Sequence, residues 1–430
     1  MGVNRRIKNK FTLKAGALYF VIFLLFLMTI LLTTFILFIH YKSQLITRQV
    51  GVAQVEQNIE SALELYSVKP SIVSQNNLAS TFNLFPNITS EVNIKQTPWG
   101  VYNIVKVSAK YKEFEREKLA LFGYRYGSIK PTALYITDRE RYLSICGNSE
   151  VRGHCYLPKL GMRTARIEGR LFNGYLEKRD DFIHQSNKTL PQPPESLLEA
   201  CQVFFSANSR GKQKRSESLV GTKKVFNSFN DSLTIYTSSN NYWVLENVDI
   251  TGHVELYSSN EIFITPTAKL QNIIVVGRKV VVRSGFEGQI QIFASDTVIL
   301  EDNVRLLYPS NIAIVDGKPN QKYIHINRNC EVQGAVWIWN STKDNNLSPT
   351  IIIETGTVIK GQLFSPGKTQ LKGNIWGTLY AELFFLNTPN AYYENYIYNS
   401  TIDGEKLPSD FACLPFAFDY NEMQFIDWLY

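Results

Sequence analysis

The first 68 residues divide by their hydrophobic pattern. Ala15 to Ile39 is an unbroken apolar run without a charge, long enough to cross about 30 Å of hydrocarbon as a helix. Beyond it the apolar positions thin out to Leu45, Val52, Val55, Ile59, Ala62 and Tyr66, spaced by threes, fours and sevens. That spacing puts them on one face of a helix continuing past the membrane. Pro70 disfavours helical backbone at Lys69 and ends it. The pattern predicts a transmembrane helix over 15–40 and an amphipathic stalk over 41–69. The stripe has to pack on something, either the chain's own first globular region or a neighbouring helix. Val52, Val55, Ile59, Ala62 and Tyr66 form the candidate partner face.

From about Val92 the period changes from 3.6 to 2. Val101, Asn103, Val105, Val107 and Ala109 alternate with Tyr102, Ile104, Lys106 and Ser108, and 118–126 and 132–137 read as further strands. A β-rich region over 70–190 follows from these runs. Pro191, Pro193 and Pro194 mark a composition shift. Residues 195–207 then present Leu197, Leu198, Cys201, Phe204 and Phe205 at helical spacing, and Arg210 to Arg215 reads as a basic loop. Beyond Val225, short apolar runs recur every eight to eleven residues, among them 262–264, 273–276, 280–282, 290–293, 298–300, 312–315, 324–326 and 351–353. No helix fits between them, which excludes βαβ units and leaves a sandwich, a barrel or a solenoid.

A five-residue unit, apolar-x-Gly-x-apolar, tips that choice. It is centred on Gly153, Gly169, Gly252, Gly288, Gly334, Gly361 and Gly373. Repeated glycines between short strands suit corners, and corners with short flats are what a parallel β-helix needs. The predicted fold is mainly β: the transmembrane helix and stalk, a β-rich region, a segment of helix and basic loop over 191–226, a parallel β-helix over 227–390 and a C-terminal cap over 391–430. A pair of β-sandwiches is the alternative.

Charge adds the orientation. Five of the net +7 charges come from Arg5, Arg6, Lys8, Lys10 and Lys14 in the basic segment 1–14. A basic cluster on that side keeps the N-terminus cytoplasmic and exports the rest. Little net charge remains for the exported part, so nucleic acid is not an expected partner.

The basic leader, Gly16-Ala17-Leu18, the apolar span and the run RQVGVAQVEQNIESALELY together resemble the N-terminal segments of minor pilins and pseudopilins. That resemblance covers about the first 68 residues and implies membrane anchoring and pilin-like or other envelope proteins as partners. Residues 249–386 are similar to bactofilin-type β-solenoids in their x-Gly-x-apolar units. Taken whole, the chain resembles membrane-anchored β-helix proteins of Gram-negative bacteria. The resemblance implies a single-pass inner-membrane protein with a periplasmic domain and a structural or assembly role.

Candidate chemistry is sparse. Cys146 and Cys155 flank a short loop and could form a disulfide in an oxidising compartment, or be two buried thiols on adjacent strands. His253 and His325 alternate with strand residues and form a possible, weak metal pair. Asp296, Glu301 and Asp302 are the nearest approach to the clustered carboxylates of a carbohydrate-active enzyme, and they flank Val298-Ile299-Leu300 as turn residues would. The sequence carries no HExxH, GxSxG or P-loop. No catalytic residue, metal or cofactor is expected. Carbohydrate binding on a β-helix scaffold is the alternative function.

Overall fold

The structure is a computed structural model that describes residues 15–73, 80–82, 90–126, 132–205, 212–215, 219, 223–315, 321–339, 348–416 and 422–429 of the 430-residue chain. The basic segment 1–14 lies outside the described residues. Helix α1 (Ala15–Val68) runs through the apolar span and the stalk without a break, about 80 Å at 1.5 Å per residue. It ends one residue before the lysine that precedes Pro70. Among the described residues it is the one helix long and apolar enough to cross a membrane.

The stalk half of α1 lies on an antiparallel sheet. Its strands are β1 (Ser80–Phe82), β2 (Ser90–Trp99), β3 (Tyr102–Tyr111) and β4 (Phe114–Arg125), with the C-terminal strand Met423–Leu429 pairing along β4. From Tyr102 onward the alternation read along 101–109 sorts between two covered faces, but Val101, in the turn before the strand, packs with Tyr102 and Ile104 instead of with Val105. Val105, Val107 and Ala109 pack with Val55, Ile59, Ala62 and Tyr66 of α1. Tyr102 and Ile104 point the other way, into a second apolar layer.

That second layer is one side of a long parallel ladder. Between Lys223 and Asn387 each turn of chain makes three short rungs, and each rung pairs in parallel with the equivalent rung of the next turn. On the first side Lys224 pairs with Asp249 and Asp249 with Lys269. On the second, Leu256 pairs with Val275 and Val275 with Ile292. On the third, Ile262 pairs with Val280 and Val280 with Val298. Inward side chains of all three sides, such as Ile250, Val275, Val298 and Ile324, form one continuous core. Turn-to-turn pairing of these rungs is parallel, unlike the antiparallel hairpins of a sandwich, with one antiparallel return where Phe385–Asn387 meets Tyr392–Glu394.

The corners have a regular chemistry. Turns from the third side to the first read Arg283-Ser284-Gly285-Phe286, Glu301-Asp302-Asn303-Val304, Asn327-Arg328-Asn329-Cys330 and Glu354-Thr355-Gly356-Thr357. The third residue of each has positive φ, which glycine and asparagine tolerate best. The fourth is buried. Its carbonyl accepts the N–H of the residue that opens the next turn's rung, as Phe286 does from Arg305 and Val304 from Glu331.

The seven predicted glycines are less uniform. Gly153 and Gly252 do lie between first- and second-side rungs, and Gly169 closes a separate loop. Gly334 and Gly361 sit inside continuous strands at the same first-to-second bend, stacked in register with Gly377. A Cβ at Gly334 would come within 1.8 Å of the Ser310 carbonyl oxygen, and one at Gly361 within 1.9 Å of that of Gly334. These glycines serve close stacking of bent strands. Gly288 and Gly373 do not have left-handed backbone.

The stack is longer than the predicted 227–390 and is not built in sequence order. Beyond Asn374–Asn387 the next first-side rung is Thr401–Asp403 and the next second-side rung is Thr132–Ile136. Two distant segments thus complete a single turn, and Gly404 packs on Ala133 so closely that a Cβ would lie 3.0 Å from its Cα. The chain from 132 to 185 then builds the far end, where Ile402 pairs with Val151 and Cys155 with Ile183. Residues 70–190 are therefore two structures: the antiparallel sheet and the far coils. Helix α2 (Glu195–Gln202) lies along the second side, with Phe204 just after it stacked on Phe293 at 4.5 Å. Lys212–Arg215, expected as a loop, is a rung pairing with Thr234–Thr237; Arg210 and Gly211 lie outside the described residues. The segment predicted as a cap divides: Tyr392–Glu394 folds back antiparallel on Phe385–Asn387, Tyr396–Tyr398 and Thr401–Asp403 join the stack, and Met423–Leu429 joins the antiparallel sheet.

Candidate functional site

The predicted partner face is mostly core. Val55, Ile59, Ala62 and Tyr66 are fully buried by β2–β4 and the C-terminal strand, and Val52 is half-buried. Tyr66 donates to the Gln96 carboxamide oxygen at 3.0 Å and meets Phe122 edge to face. An apolar stripe beside an unfilled sheet face of the same chain is covered intramolecularly, because that costs no association entropy. Contact begins abruptly at Gly51, where a Cβ would fall 2.2 Å from the Phe114 ring. Residues 16–50 of the helix before it are all exposed. Leu45, Ile46 and Val50 are exposed beyond the apolar span, among Lys42, Gln44 and Arg48. This neck, 40–50, is about 16 Å of unaccompanied helix at 1.5 Å per residue.

The disulfide between Cys146 and Cys155 is not formed. All five cysteines are buried free thiols. Cys146 ends a third-side rung and packs with Ile167 and Leu386, whereas Cys155 lies inside the stack. They sit on different sides of neighbouring turns, so sequence proximity does not bring them together. Burial pushes the Cys155 thiol up to about 12 and the Cys146 thiol to about 11, leaving almost no thiolate near neutrality.

Asp296, Glu301 and Asp302 do not converge. Asp296 pairs with Arg278 at 3.1 Å. Glu301 pairs with Arg283, and Asp302 accepts the Arg328 backbone N–H at 3.0 Å. Each carboxylate ties one turn to the next. His253 and His325 are also apart. His253 follows the first-side rung Val248–Gly252, stacks on Phe229 and meets Trp99 edge to face, with Nδ1 2.9 Å from the Asp231 carbonyl; burial lowers its pKa. His325 belongs to a third-side rung beside Tyr323. No group of three or more metal-ligating side chains occurs among the described residues.

Two features had no motif to announce them. At the far end, Glu177 is buried and accepts from the Gly153 and Arg179 backbone N–H groups and from the Nε and Nη2 of the Arg179 guanidinium. Those bonds hold its carboxyl down at about 2. Arg179 lies over Phe182, which stacks on His154, itself 3.2 Å from His184. On the first side, outward residues form two columns. One alternates in charge: Lys224, Asp249, Lys269, Glu287, Arg305, Glu331. The other runs Phe226, Thr251, Gln271, Gln289, Leu307. A trough of about 600 Å³ lies between and over them. The sequence signal was present: Thr251, Gln271, Gln289 and Leu307 recur eighteen to twenty residues apart, visible only once the turn length is known.

No family model matches the sequence, and no curated protein matches it. Among solved structures, the chain is similar to the competence-associated pilin ComZ from Thermus thermophilus, at 9% identity, with 88% of this chain and 96% of that chain covered and a TM-score of 0.20. Superposition that loose does not place the two chains in one fold.

Proposed function

We propose that this chain is a single-pass subunit of a pilus-like or secretion assembly in the bacterial envelope, anchored in the inner membrane by α1 with its folded part in the periplasm. The observation that carries this reading is the division of α1 at Gly51. One half is built into a folded sheet and the other is bare, apolar and continuous with it. A helix that is rigidly part of its domain fixes that domain's orientation at the membrane, which suits a structural subunit. The stacked ladder reads as a parallel β-helix carried outward on this base. Its in-register parallel rungs and single continuous core support that reading. The role is structural, and we assign no reaction to the chain.

The neck is where neighbours would pack, since the stripe beyond it is already covered. New cysteines at Ile46 and Val50 test this, because the five native thiols are buried and unreactive. Expected under mild oxidation of intact membranes are crosslinks between copies or to other anchored helices. A monomer alone at both positions rules the assembly role out. A reporter fused after Tyr430 tests the orientation, and activity confined to the cytoplasm contradicts it.

A further inference from the structure

We infer that the trough on the first side of the stack is a binding site for a neutral oligosaccharide. Its floor is Thr251, Gln271 and Gln289, adjacent in the ladder, with exposed Phe226 at one end and exposed Leu307 at the other. Four ladder steps separate those ends, about 19 Å at the usual strand spacing. Room for several sugar rings in a row follows from that length.

The composition of the floor sets the ligand chemistry. Four other glutamines of the stack, three of them buried, are engaged within the protein. Gln291 accepts from the Val101 N–H and donates to the Trp99 carbonyl. Gln362 holds both backbone groups of Leu414, Gln333 donates to Glu331, and Gln370 accepts from Asn387. Among the described residues, by contrast, the side chains of Thr251, Gln271 and Gln289 have no hydrogen-bond partner. A carboxamide carries donors and an acceptor, and a hydroxyl is both, so this row offers what a line of sugar hydroxyls requires. Phe226 supplies a flat apolar surface for the C–H face of a ring.

Charge sets the ligand class. Lys224 and Lys269 on the trough wall are matched by Asp249 and Glu287, with Lys224 to Asp249 at 3.9 Å and Glu287 to Arg305 at 3.5 Å. A wall of alternating sign presents no net field to a polyanion. Nucleic acid and acidic polysaccharide would gain little from counterion release there. A glycan without charge loses nothing.

The full-length protein in detergent can be tested by saturation-transfer difference NMR against cellohexaose, maltohexaose and chitohexaose, with hexagalacturonate as the acidic comparison. At least one neutral hexasaccharide should bind, with an affinity unchanged on raising salt. Phe226→Ala, and Gln271→Ala combined with Gln289→Ala, should each weaken it about tenfold or more. Tyr242→Ala, exposed on the third side, should not, and all three proteins should keep the parent unfolding midpoint. Binding of hexagalacturonate alone, affinity lost with salt, equal affinity in the trough variants, or no neutral ligand bound would each overturn the inference. None of these readouts depends on assembly at the neck.

Discussion

The antiparallel sheet and the parallel stack bury side chains of the same kinds by different logic. In the first part of the sheet, neighbours in space are neighbours in sequence: β2, β3 and β4 pair as successive hairpins, from Ser90 opposite Tyr111 to Tyr111 opposite Phe114, and only the C-terminal pairings along β4 come from afar. Yet neither face of it is finished locally. One face waits for α1, the other for rungs contributed by residues 274–380. In the stack the inner face of each turn packs only on the turns before and after it, although the outer face of the second side also meets the sheet and α2. The sheet depends on other elements for both of its faces, whereas the inner core of the stack depends on the stack alone.

The hardest test of this contrast is a defect inside the stack. Gly361→Val places a side chain against the Gly334 carbonyl at a positive φ. The expected loss is more than about 4 kcal/mol, read as a collapsed urea midpoint. A parental midpoint would show that the bend at Gly334, Gly361 and Gly377 relaxes freely. Next comes the helix. Ile59→Asp buries a charge between α1 and the sheet and should cost about 3–5 kcal/mol. Hydrogen exchange should then rise in 90–125 and 423–429 while 270–300 stays protected. Equal loss in both would mean the two regions unfold as one. A smaller effect belongs to the seam between them. Gln291→Leu strands the Val101 N–H and Trp99 carbonyl, at about 1–3 kcal/mol, and should loosen the β2–β3 turn without altering the coils.

The smallest effect is an acid response at two places. Glu177 is held low, so its contribution is full above about pH 4.5 and fades as pH falls towards 2. Glu177→Gln should flatten that loss in a pH series of melting temperatures. His253 is held below the ordinary histidine value, so the folded state binds its proton less readily than the unfolded chain. Stability there falls as pH drops below about 6.5, and His253→Phe should remove that slope. A Glu177→Gln series that tracks the parent would show that Arg179 is not the partner that matters.

Legibility in the sequence follows the range of contact. The span and stalk were readable because 3.6-residue periodicity is local, and α1 ends within one residue of the prediction. Alternation along 101–109 was readable for the same reason. What covered the stalk was open, because a stripe shows that it is covered and not by whom. The glycine unit caught the stacked bend at Gly334 and Gly361 but missed the four-residue corner. Asparagine at 303 and 329 replaces glycine there, so a search keyed on glycine sees half of the series. Order along the stack was not readable at all. Nothing local in Thr132–Ile136 records that its partner is Leu379–Ala381. Of the candidate sites, the cysteine pair failed because the intervening turn carries the two residues to different sides, and the trough was hidden until turn length turned a scatter of glutamines into a column.

The chain enters the stack at 132 and leaves it at 404, and those two points touch. Just outside them Tyr126 donates its N–H to Phe411 and Ala412 pairs with Arg125. A pull between α1 and a point on the stack therefore arrives along two strands fastened side by side. Neither end of the coil series is the end on which the tether acts, so the turns are not peeled away one after another from a loose terminus. Tension reaches them at a splice in mid-stack and divides in both directions, and a pull between the two termini of the chain passes beneath the coils without loading them.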